Sequence, residues 1–589
     1  MRNILITSIT AVVLVGSGKF QQSPAAMLDS AEELFALDNF IEVKIQINTL
    51  IWDRLRYQYR DITKERKPGE AFKSNYAYLP AQLSINDEDL GEVGLRKKGL
   101  IGSSSTQRPS LKIKFNHSKK KRKYLGLERL TLNNNIQDPS LVKQYLCYKL
   151  FRKAGLPAPR CNFARVYVNG QYLGVYTNVE SIRKPFLKRA FNDSDGDLYE
   201  GMINDFREGM YETFEIKDGA GKKMKSIVRA VKALSKEGDD QLTELGQAID
   251  IDQFINFWVL EIITGHWDGY NGNLNNFFVY SSSEDKRLRF IPWGTDGTWS
   301  MFNPFIGAKT ARMTNASSLL ARTIYLQPET RKIFRTALAY HLEKTWNEEE
   351  ILSDIKKIHT MVEKHVIGST KGMKEAVRNI REYIRTNRTT LESELAGPEP
   401  KWTIPLKRNE PVKIVGDLEA SFIMPVTEMI QEGEKLNNGI SIKILKTNGT
   451  MFELTESVGQ AGFPSDARWF DKPRMTLGGR FRNTPNHLRL FMSFDPERFR
   501  HDNTIKLDHF NGMGWVGVLN EETKNMTICG MLVGEINIEK KDINHQPQLK
   551  GSINAKLRLW RVPEMLSTTS SENTKTNQLK NRKLNKYKG

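Results

Sequence analysis

The chain has 589 residues, of which 39% are hydrophobic and 27% charged, with 88 Lys and Arg against 69 Asp and Glu for a formal net charge of +19. That length exceeds one ordinary core, so two or three domains are expected, and the composition excludes both a chain disordered throughout and a multi-span membrane protein. The basic excess fits acidic partners, an acidic surface polymer or a membrane surface; specific nucleic-acid binding is not indicated, because the charge is diffuse apart from Lys119 to Lys123 and the tail from Glu564, and no nucleic-acid motif accompanies it.

In chain order, Met1-Arg2-Asn3 precedes an apolar stretch from Ile4 to Val15 that is too short to span a bilayer, and Ser23-Pro24-Ala25 offers a cleavage end. Residues 1–25 read as a signal peptide and the protein as exported, to an extracellular, periplasmic or cell-surface place; a retained N-terminal anchor is the competing reading. Ile41 to Ile47 alternates like an edge strand, and a helix starts at Trp52. Leu83 to Lys98 reads as a hairpin turning at Asn86 to Asp89, and Ser110 to Phe115 and Arg129 to Leu132 as further strands. Within Leu111 to Phe115 the period of two places Lys112 and Lys114 on one face. Lys119 to Lys123 fits a solvated turn. Asp138-Pro139-Ser140 is a helix start with Asp138 as cap, a structural role weighed above a catalytic one.

Cys147 falls in the apolar helical stretch Leu141 to Leu150 and reads as a small buried hydrophobe; with Cys161 and Cys529 it makes an odd, sparse set without zinc spacing, so stability must come from packing. Arg165 to Val168 and Gln171 to Glu180 flank Asn169-Gly170, the signature of a tight hairpin. Asn192 to Asp197 lacks the Gly and Glu positions of a calcium loop and reads as a turn.

Asp252 to Thr264 reads as a helix capped by Asp250 or Asp252 and stopped by Gly265. His266-Trp267-Asp268 then opens a loop holding Asn271, Asn273, Asn275 and Asn276, followed by strands at Phe277 to Tyr280 and Leu288 to Pro292 and by Asp296. Phosphoryl transfer needs one carboxylate to orient or deprotonate the attacking hydroxyl, and a second carboxylate with an amide to hold the metal that neutralises the phosphates. Helix, His-x-Asp loop, Asn five residues on, two strands and Asp is the order in which protein kinases supply these groups. Asp268 is then the catalytic candidate and Asp296 a metal candidate, with Asn273 at the expected spacing and Asn276 competing for the amide role. An Asn- and Asp-rich turn held by its own hydrogen bonds is the plain alternative.

Upstream stand G-L-R-K-K-G from Gly94, R-P-S-L-K-I-K-F-N from Arg108, Y-L-G-L-E-R-L-T-L-N-N-N-I-Q-D-P-S-L from Tyr124, A-R-V-Y-V-N-G-Q-Y-L-G-V-Y from Ala164 and G-D-L-Y-E from Gly196. With the H-W-D-G-Y loop and the P-W-G-T-D element, these motifs resemble the spore-coat CotH kinase family over roughly Ile41 to Thr345. The resemblance implies a divergent, two-lobed protein-kinase-like domain that uses ATP and a divalent metal, Mg²⁺ or Mn²⁺, to phosphorylate Ser or Thr of protein substrates such as coat or surface proteins. Two departures stand out: Leu100 to Ser105 replaces an Asn- or Gly-rich turn, and Trp293-Gly294-Thr295-Asp296 keeps the second carboxylate of W-D-x-D, which leaves the number of metal ions open. In a kinase-like lobe a lysine reaches the nucleotide phosphates. Lys112 is the first candidate, Lys114 the next and Lys98 a third, against a merely solvent-facing strand. Glu180, at the end of its strand, would lie near the nucleotide cleft in that topology; a surface carboxylate is the alternative.

Ser317 to Asn387 is helical in pattern and would complete the C-terminal lobe, and Gly397 to Pro400 reads as a linker. Val412 to Trp560 has short alternating segments separated by turn signals, as in a β-sandwich, and Thr568 to Gly589 is poor in apolar residues. The expected organisation is therefore α+β: a signal peptide (1–25), a kinase-like domain (40–396), an all-β sandwich-like domain (401–563) and a disordered basic tail (564–589). An exported atypical kinase competes with a catalytically inactive relative serving in surface adhesion or assembly, and with a carbohydrate- or protein-binding scaffold whose β-domain is the working part.

Overall fold

The computed structural model describes residues 31–60, 76–100, 105–219, 223–238, 240–301, 311–368, 370–404, 406, 412–427, 439–462, 473–508, 511–543 and 546–567. The expected signal peptide, most of the Leu100 to Ser105 turn and the part of the expected tail from Thr568 lie outside them; the tail's first residues, Glu564–Leu566, are not disordered but form a 3-10 turn that buries Leu566.

Seven strands, β1 (Ile41–Gln46), β2 (Leu79–Ile85), β3 (Glu88–Lys98), β4 (Ser110–Lys114), β5 (Arg129–Asn133), β6 (Cys161–Val168) and β7 (Gln171–Glu180), close into a barrel in the order β1-β2-β3-β4-β5-β7-β6. The alternation that marked these strands sends Val43, Leu95, Leu111, Ile113 and Leu130 into one core. β1 is not an edge: it pairs antiparallel with β2 and parallel with β6, which removes the open edge altogether. The tight turns are built where expected, with positive φ at Asn86 (49°), Asp87 (66°), Asn169 (50°) and Gly170 (81°).

Helix α1 (Thr49–Arg56) is capped by Asn48, so it starts three residues before Trp52. α2 (Lys143–Lys153) begins later than the Asp138-Pro139 signal, because Leu141 adopts a φ of 66° and delays the helical path. Asp138 still serves the helix start: its buried carboxylate accepts the backbone N–H groups of Ser140 at 3.0 Å and Lys143 at 2.9 Å.

The chain continues through α3 (Lys184–Phe191), β8 (Asp197–Gly201), β9 (Glu215–Asp218), α4 (Lys225–Leu234), α5 (Asp240–Ala248), α6 (Ile251–Thr264), α7 (Tyr270–Asn273), β10 (Phe277–Ser281), β11 (Leu288–Pro292), α8 (Leu319–Leu326), α9 (Pro328–Lys344), α10 (Glu348–Val362) and α11 (Lys371–Ala396). The four strands form a sheet in the order β11-β10-β8-β9. Helices and sheet share a core separate from that of the barrel, in which Trp258 stacks on Phe334 at 4.2 Å and Phe254 meets Phe290 at 4.9 Å. The Asn192 to Asp197 segment is the expected turn, with Asp193 accepting the N–H of Asp195 at 3.0 Å and of Ser283 at 2.6 Å. The segment after α11 does not leave this core at Gly397. Tyr325 donates its hydroxyl to the Pro400 carbonyl at 2.9 Å, and Trp402 lies 6.2 Å from Trp258 and 5.7 Å from Tyr325, because its indole covers their apolar faces.

Beyond it, β12 (Lys413–Thr427), β13 (Ser441–Lys446), β14 (Met451–Glu453), β15 (Thr455–Gly462), β16 (Arg474–Arg480), β17 (Asn486–Phe494), the short α12 (Pro496–His501), β18 (Thr504–Leu507), β19 (Gly512–Asn520), β20 (Asn525–Ile543) and β21 (Gln546–Leu559) form a region with its own core. Where a sandwich of two sheets was expected, the strands make one ten-stranded sheet. The 15-residue β12 is long enough to pair with β13, β15 and β21, so the sheet curls back on itself. This region touches the barrel at the β3–β4 connection: Leu100 packs with Met513 and Met531, and Thr106 donates its hydroxyl to Asp495 at 3.3 Å. No helix among the described residues is long and apolar enough to cross a membrane.

Candidate active site

The site grows from α6. Its apolar faces are buried on all sides, Asp250 accepts the Gln253 N–H to start it, and Gly265 ends it at a φ of 59°. A Cβ at Gly265 would sit 2.4 Å from the Ser300 carbonyl oxygen, so the reversal needs glycine. The loop that follows is clasped from inside by Glu261, an acid within this otherwise apolar helix. Its Oε1 accepts the Tyr270 N–H at 2.9 Å, and its Oε2 accepts Asn271 N–H at 2.9 Å and Asn271 Nδ2 at 2.6 Å. Burial pushes the Glu261 carboxyl up to about 8, with those donors acting in the other direction. His266 is buried 3.6 Å from Glu261 Oε1, and burial pushes its imidazole down to about 3.

Asp268 is held by three asparagines. Its Oδ1 accepts Asn273 Nδ2 at 2.6 Å and Asn275 Nδ2 at 3.2 Å, and its Oδ2 accepts Asn276 Nδ2 at 2.7 Å. The residues that sequence spacing left as competitors for one amide role thus both touch the same carboxylate. Asn273 closes the single turn α7, while Asn276 sits at a φ of 49° and its carbonyl accepts the Trp293 N–H at 3.0 Å, tying the loop to the end of β11.

That tie delivers Asp296. A Cβ placed on Gly297 would lie 3.0 Å from Asp268 Cβ, so the backbone beside Asp296 runs against Asp268. Asp296 is 8% exposed. Burial pushes its carboxyl up to about 6; the Lys98 charge opposes this, and the Asp268 and Asp138 charges reinforce it. Gly294, where the first acid of W-D-x-D would stand, has a φ of 51°, and a Cβ there would meet Asn276 Oδ1 at 2.4 Å.

Two lysines on the outer face of the barrel meet at Trp293, three residues before Asp296, and the Lys98 charge acts on Asp296. The Nζ of Lys98 and of Lys112 lie 5.8 and 5.9 Å from the centre of the Trp293 ring. Burial lowers the Lys98 ammonium while Asp296 and Glu200 oppose the shift; burial also carries Lys112 well below its ordinary value, with Glu200 opposing. Lys114 is turned elsewhere, 5.8 Å from the Tyr78 ring. Glu180 is neither on the surface nor open to a ligand. It is fully buried, its Oε1 takes Arg160 at 2.8 Å, and its Oε2 takes Arg189 at 2.7 Å and the Arg160 backbone N–H at 3.0 Å. Burial works against its charge, but the two guanidinium groups hold the carboxyl below its ordinary value.

The structure therefore brings together Asp268, Asn273, Asn276, Asp296, Lys98 and Lys112, and leaves Lys114 and Glu180 outside the group. Sequence reasoning missed Glu200 and Glu261. Glu200, inside the G-D-L-Y-E motif, pairs with Lys217, and the Lys217 and Lys112 charges overcome burial to hold it well below the usual carboxylate range. Glu261 had a signal, since a lone acid on an apolar helix face demands partners. Among the described residues no group of three or more His, Cys, Asp or Glu could hold a metal. One carboxylate with amide oxygens is a hard donor set of the kind Mg²⁺ accepts while retaining waters and phosphate ligands, so Asp296 with Asn273 or Asn276 fits such an ion in chemistry.

The family model described as CotH kinase protein matches residues 95–391. The inner spore coat protein H of Bacillus subtilis (strain 168) is 24% identical over 307 residues, 49% of this chain and 81% of that protein. Invasin CotH7 of Rhizopus delemar is 21% identical over 244 residues, 38% of this chain and 41% of that protein, so the chain spans less than half of this relative. Among solved structures, the crystal structure of a Helicobacter pylori proinflammatory kinase, CtkA, aligns with 58% of this chain and 96% of its own at a TM-score of 0.23 and 11% identity.

Proposed function

The chain belongs to the CotH kinase family, and on that premise we propose that it is an exported atypical protein kinase with a two-lobed catalytic domain, transferring the γ-phosphate of ATP to Ser or Thr of coat or surface proteins. The observation that carries this reading is the meeting of Asp268 and Asp296 just beyond Trp293, over whose ring Lys98 and Lys112 stand. Asp268 orients the acceptor hydroxyl and takes its proton as the oxygen attacks phosphorus; its asparagine amides fix the carboxylate for that task. Asp296, with the amide oxygen of Asn273 or Asn276, would hold Mg²⁺ or Mn²⁺, which when bound neutralises the phosphate charge. Lys98 and Lys112 take the phosphate oxygens as point charges. The names of the spore coat and invasin relatives support a place on a surface or coat.

A second reading, an inactive relative that serves in surface adhesion or assembly, is favoured by Gly294 in place of the first acid. Incubation of the purified protein with labelled ATP and Mg²⁺ or Mn²⁺, scoring autophosphorylation and transfer to a Ser/Thr-rich protein, separates the two. Asp268→Asn is expected to keep nucleotide affinity and lower turnover by roughly two to four orders of magnitude. Equal loss of binding and turnover would make Asp268 a ligand or a fold determinant, and no transfer by the parent protein would select the inactive reading.

A further inference from the structure

The cations on the outer face of β3, β4 and β5 outnumber the phosphates that Lys98 and Lys112 would meet. Strand register sets Arg96 opposite Lys112, and Lys114 opposite both Gly94 and Arg129. Around the ring of Tyr78, just ahead of β2, stand Arg96 at 5.1 Å, Arg129 at 5.7 Å and Lys114 at 5.8 Å from the centroid. One aromatic face can attract a cation, but three cations converging on one ring repel one another unless an anion joins them.

Among the described residues no carboxylate forms an ion pair with Arg96, Lys114 or Arg129. Glu200, which neighbours the group, is engaged by Lys217. Tyr78 Oη, Arg96 Nε and Arg129 Nε are buried and have no hydrogen-bond partner there. Buried donors without acceptors are costly, and guanidinium groups beside a phenol are the donor set that binds phosphate-type oxyanions. Arg183 has acids nearby: burial and then the Arg129 charge lower its guanidinium, while the Glu200 and Asp218 charges oppose the shift, so it is not counted in the cluster.

We propose that Arg96, Lys114, Arg129 and Tyr78 form a second anion subsite, which takes a phosphate group distinct from those handled at Asp296. Four residues of β3 separate Lys98 from the level of Lys114 and Arg129, which is roughly 13 Å at about 3.3 Å per residue. The subsite therefore begins at Arg96, opposite Lys112, and extends away from Lys98, and it serves a phosphate borne either by a longer donor or by an acceptor already phosphorylated near its target hydroxyl. The kinase reading supplies only the orientation of the subsite relative to the chemistry.

The test is calorimetry on the full chain with inorganic tripolyphosphate in the absence of metal, and separately with ATP and Mg²⁺, for the parent protein, Lys114→Gln and Arg129→Gln. Both side chains point out of the barrel, and a thermal melt of each variant checks that the fold is kept. Each variant is expected to weaken tripolyphosphate about tenfold or more while ATP affinity stays within about twofold. Unchanged tripolyphosphate binding in both variants overturns the proposal. Equal weakening of ATP also overturns it, because the cage would then be the far end of the nucleotide site. A phosphoserine peptide run in parallel assigns the source: loss of its binding in Arg129→Gln selects the acceptor, and loss confined to tripolyphosphate selects the donor. If ATP does not bind at all, the kinase reading fails while the tripolyphosphate comparison still decides the subsite.

Discussion

Asp296 is a carboxylate whose surroundings oppose its charge, with its group pushed up to about 6 by burial first and by the nearby Asp268 charge. A metal must displace the proton from that group, so Mg²⁺-dependent nucleotide affinity is expected to fall about tenfold per pH unit below about 6, read by calorimetry between pH 5 and 8. A flat profile would remove Asp296 from the metal site. The same shift has a consequence for stability. The unfolded carboxyl ionises near 3.8 and the folded one near 6, so the folded state binds more protons in that interval and loses stability as pH rises through it. Asp296→Asn is therefore expected to raise the melting temperature of the metal-free protein at pH 8 and to lose that advantage at pH 4, while abolishing metal-dependent binding. Gly294→Asp, which restores the family's missing acid, is not expected to add a ligand. Its φ of 51° and the 2.4 Å approach of a Cβ to Asn276 Oδ1 would strain the backbone and push the amide off Asp268, so turnover should fall.

Helix α6 and the loop it feeds act as one element because Glu261 joins them. Glu261→Ala leaves the buried N–H groups of Tyr270 and Asn271 without their acceptor, at about 1–3 kcal/mol each. It is expected to lower the melting temperature and also kcat, since Asn273 and Asn276 are positioned by the same loop; Glu261→Gln should recover part of both. A variant that loses stability and keeps kcat would confine Glu261 to the fold. The residues of this element that sequence made legible, Asp268, Asn273, Asn276 and Asp296, were legible because their grouping depends on short-range spacing. The lysine was harder. Alternation says that Lys98, Lys112 and Lys114 avoid the barrel core, but which of them faces Trp293 depends on how β3 and β4 meet a strand end nearly two hundred residues away. Glu180 was misplaced for a related reason: its partners Arg160 and Arg189 lie on either side of it in sequence, and nothing local announces that they converge. Barrel closure was equally hidden, because the parallel pairing of β1 with β6 joins segments more than a hundred residues apart.

At the scale of the whole molecule, three cores follow one another along the chain, in the barrel, in the helical region and in the ten-stranded sheet. A cut at Ala396, at the expected linker, would remove Trp402 and bare the faces of Trp258 and Tyr325 that it covers. A chain ending at Leu406 keeps that contact and is expected to melt cooperatively by itself, since the barrel and helical cores are then complete. Nucleotide binding is a separate matter. The connection from Lys98 to Ser110 leads directly out of the lysine site, and Leu100 and Thr106 within it are anchored on Met513, Met531 and Asp495 of the β-region. Removing those anchors frees backbone that binding must then order, at about 1–2 kcal/mol for each residue ordered, so the truncated protein is expected to bind ATP and Mg²⁺ at least about tenfold more weakly than the full chain. Leu100→Asp in the full chain should reproduce part of that loss without touching a carboxylate or a lysine of the site. Full affinity in both proteins would restrict the β-region to localisation or substrate capture, whereas a truncated chain with no cooperative transition would mean that the helical and β-regions are stable only together.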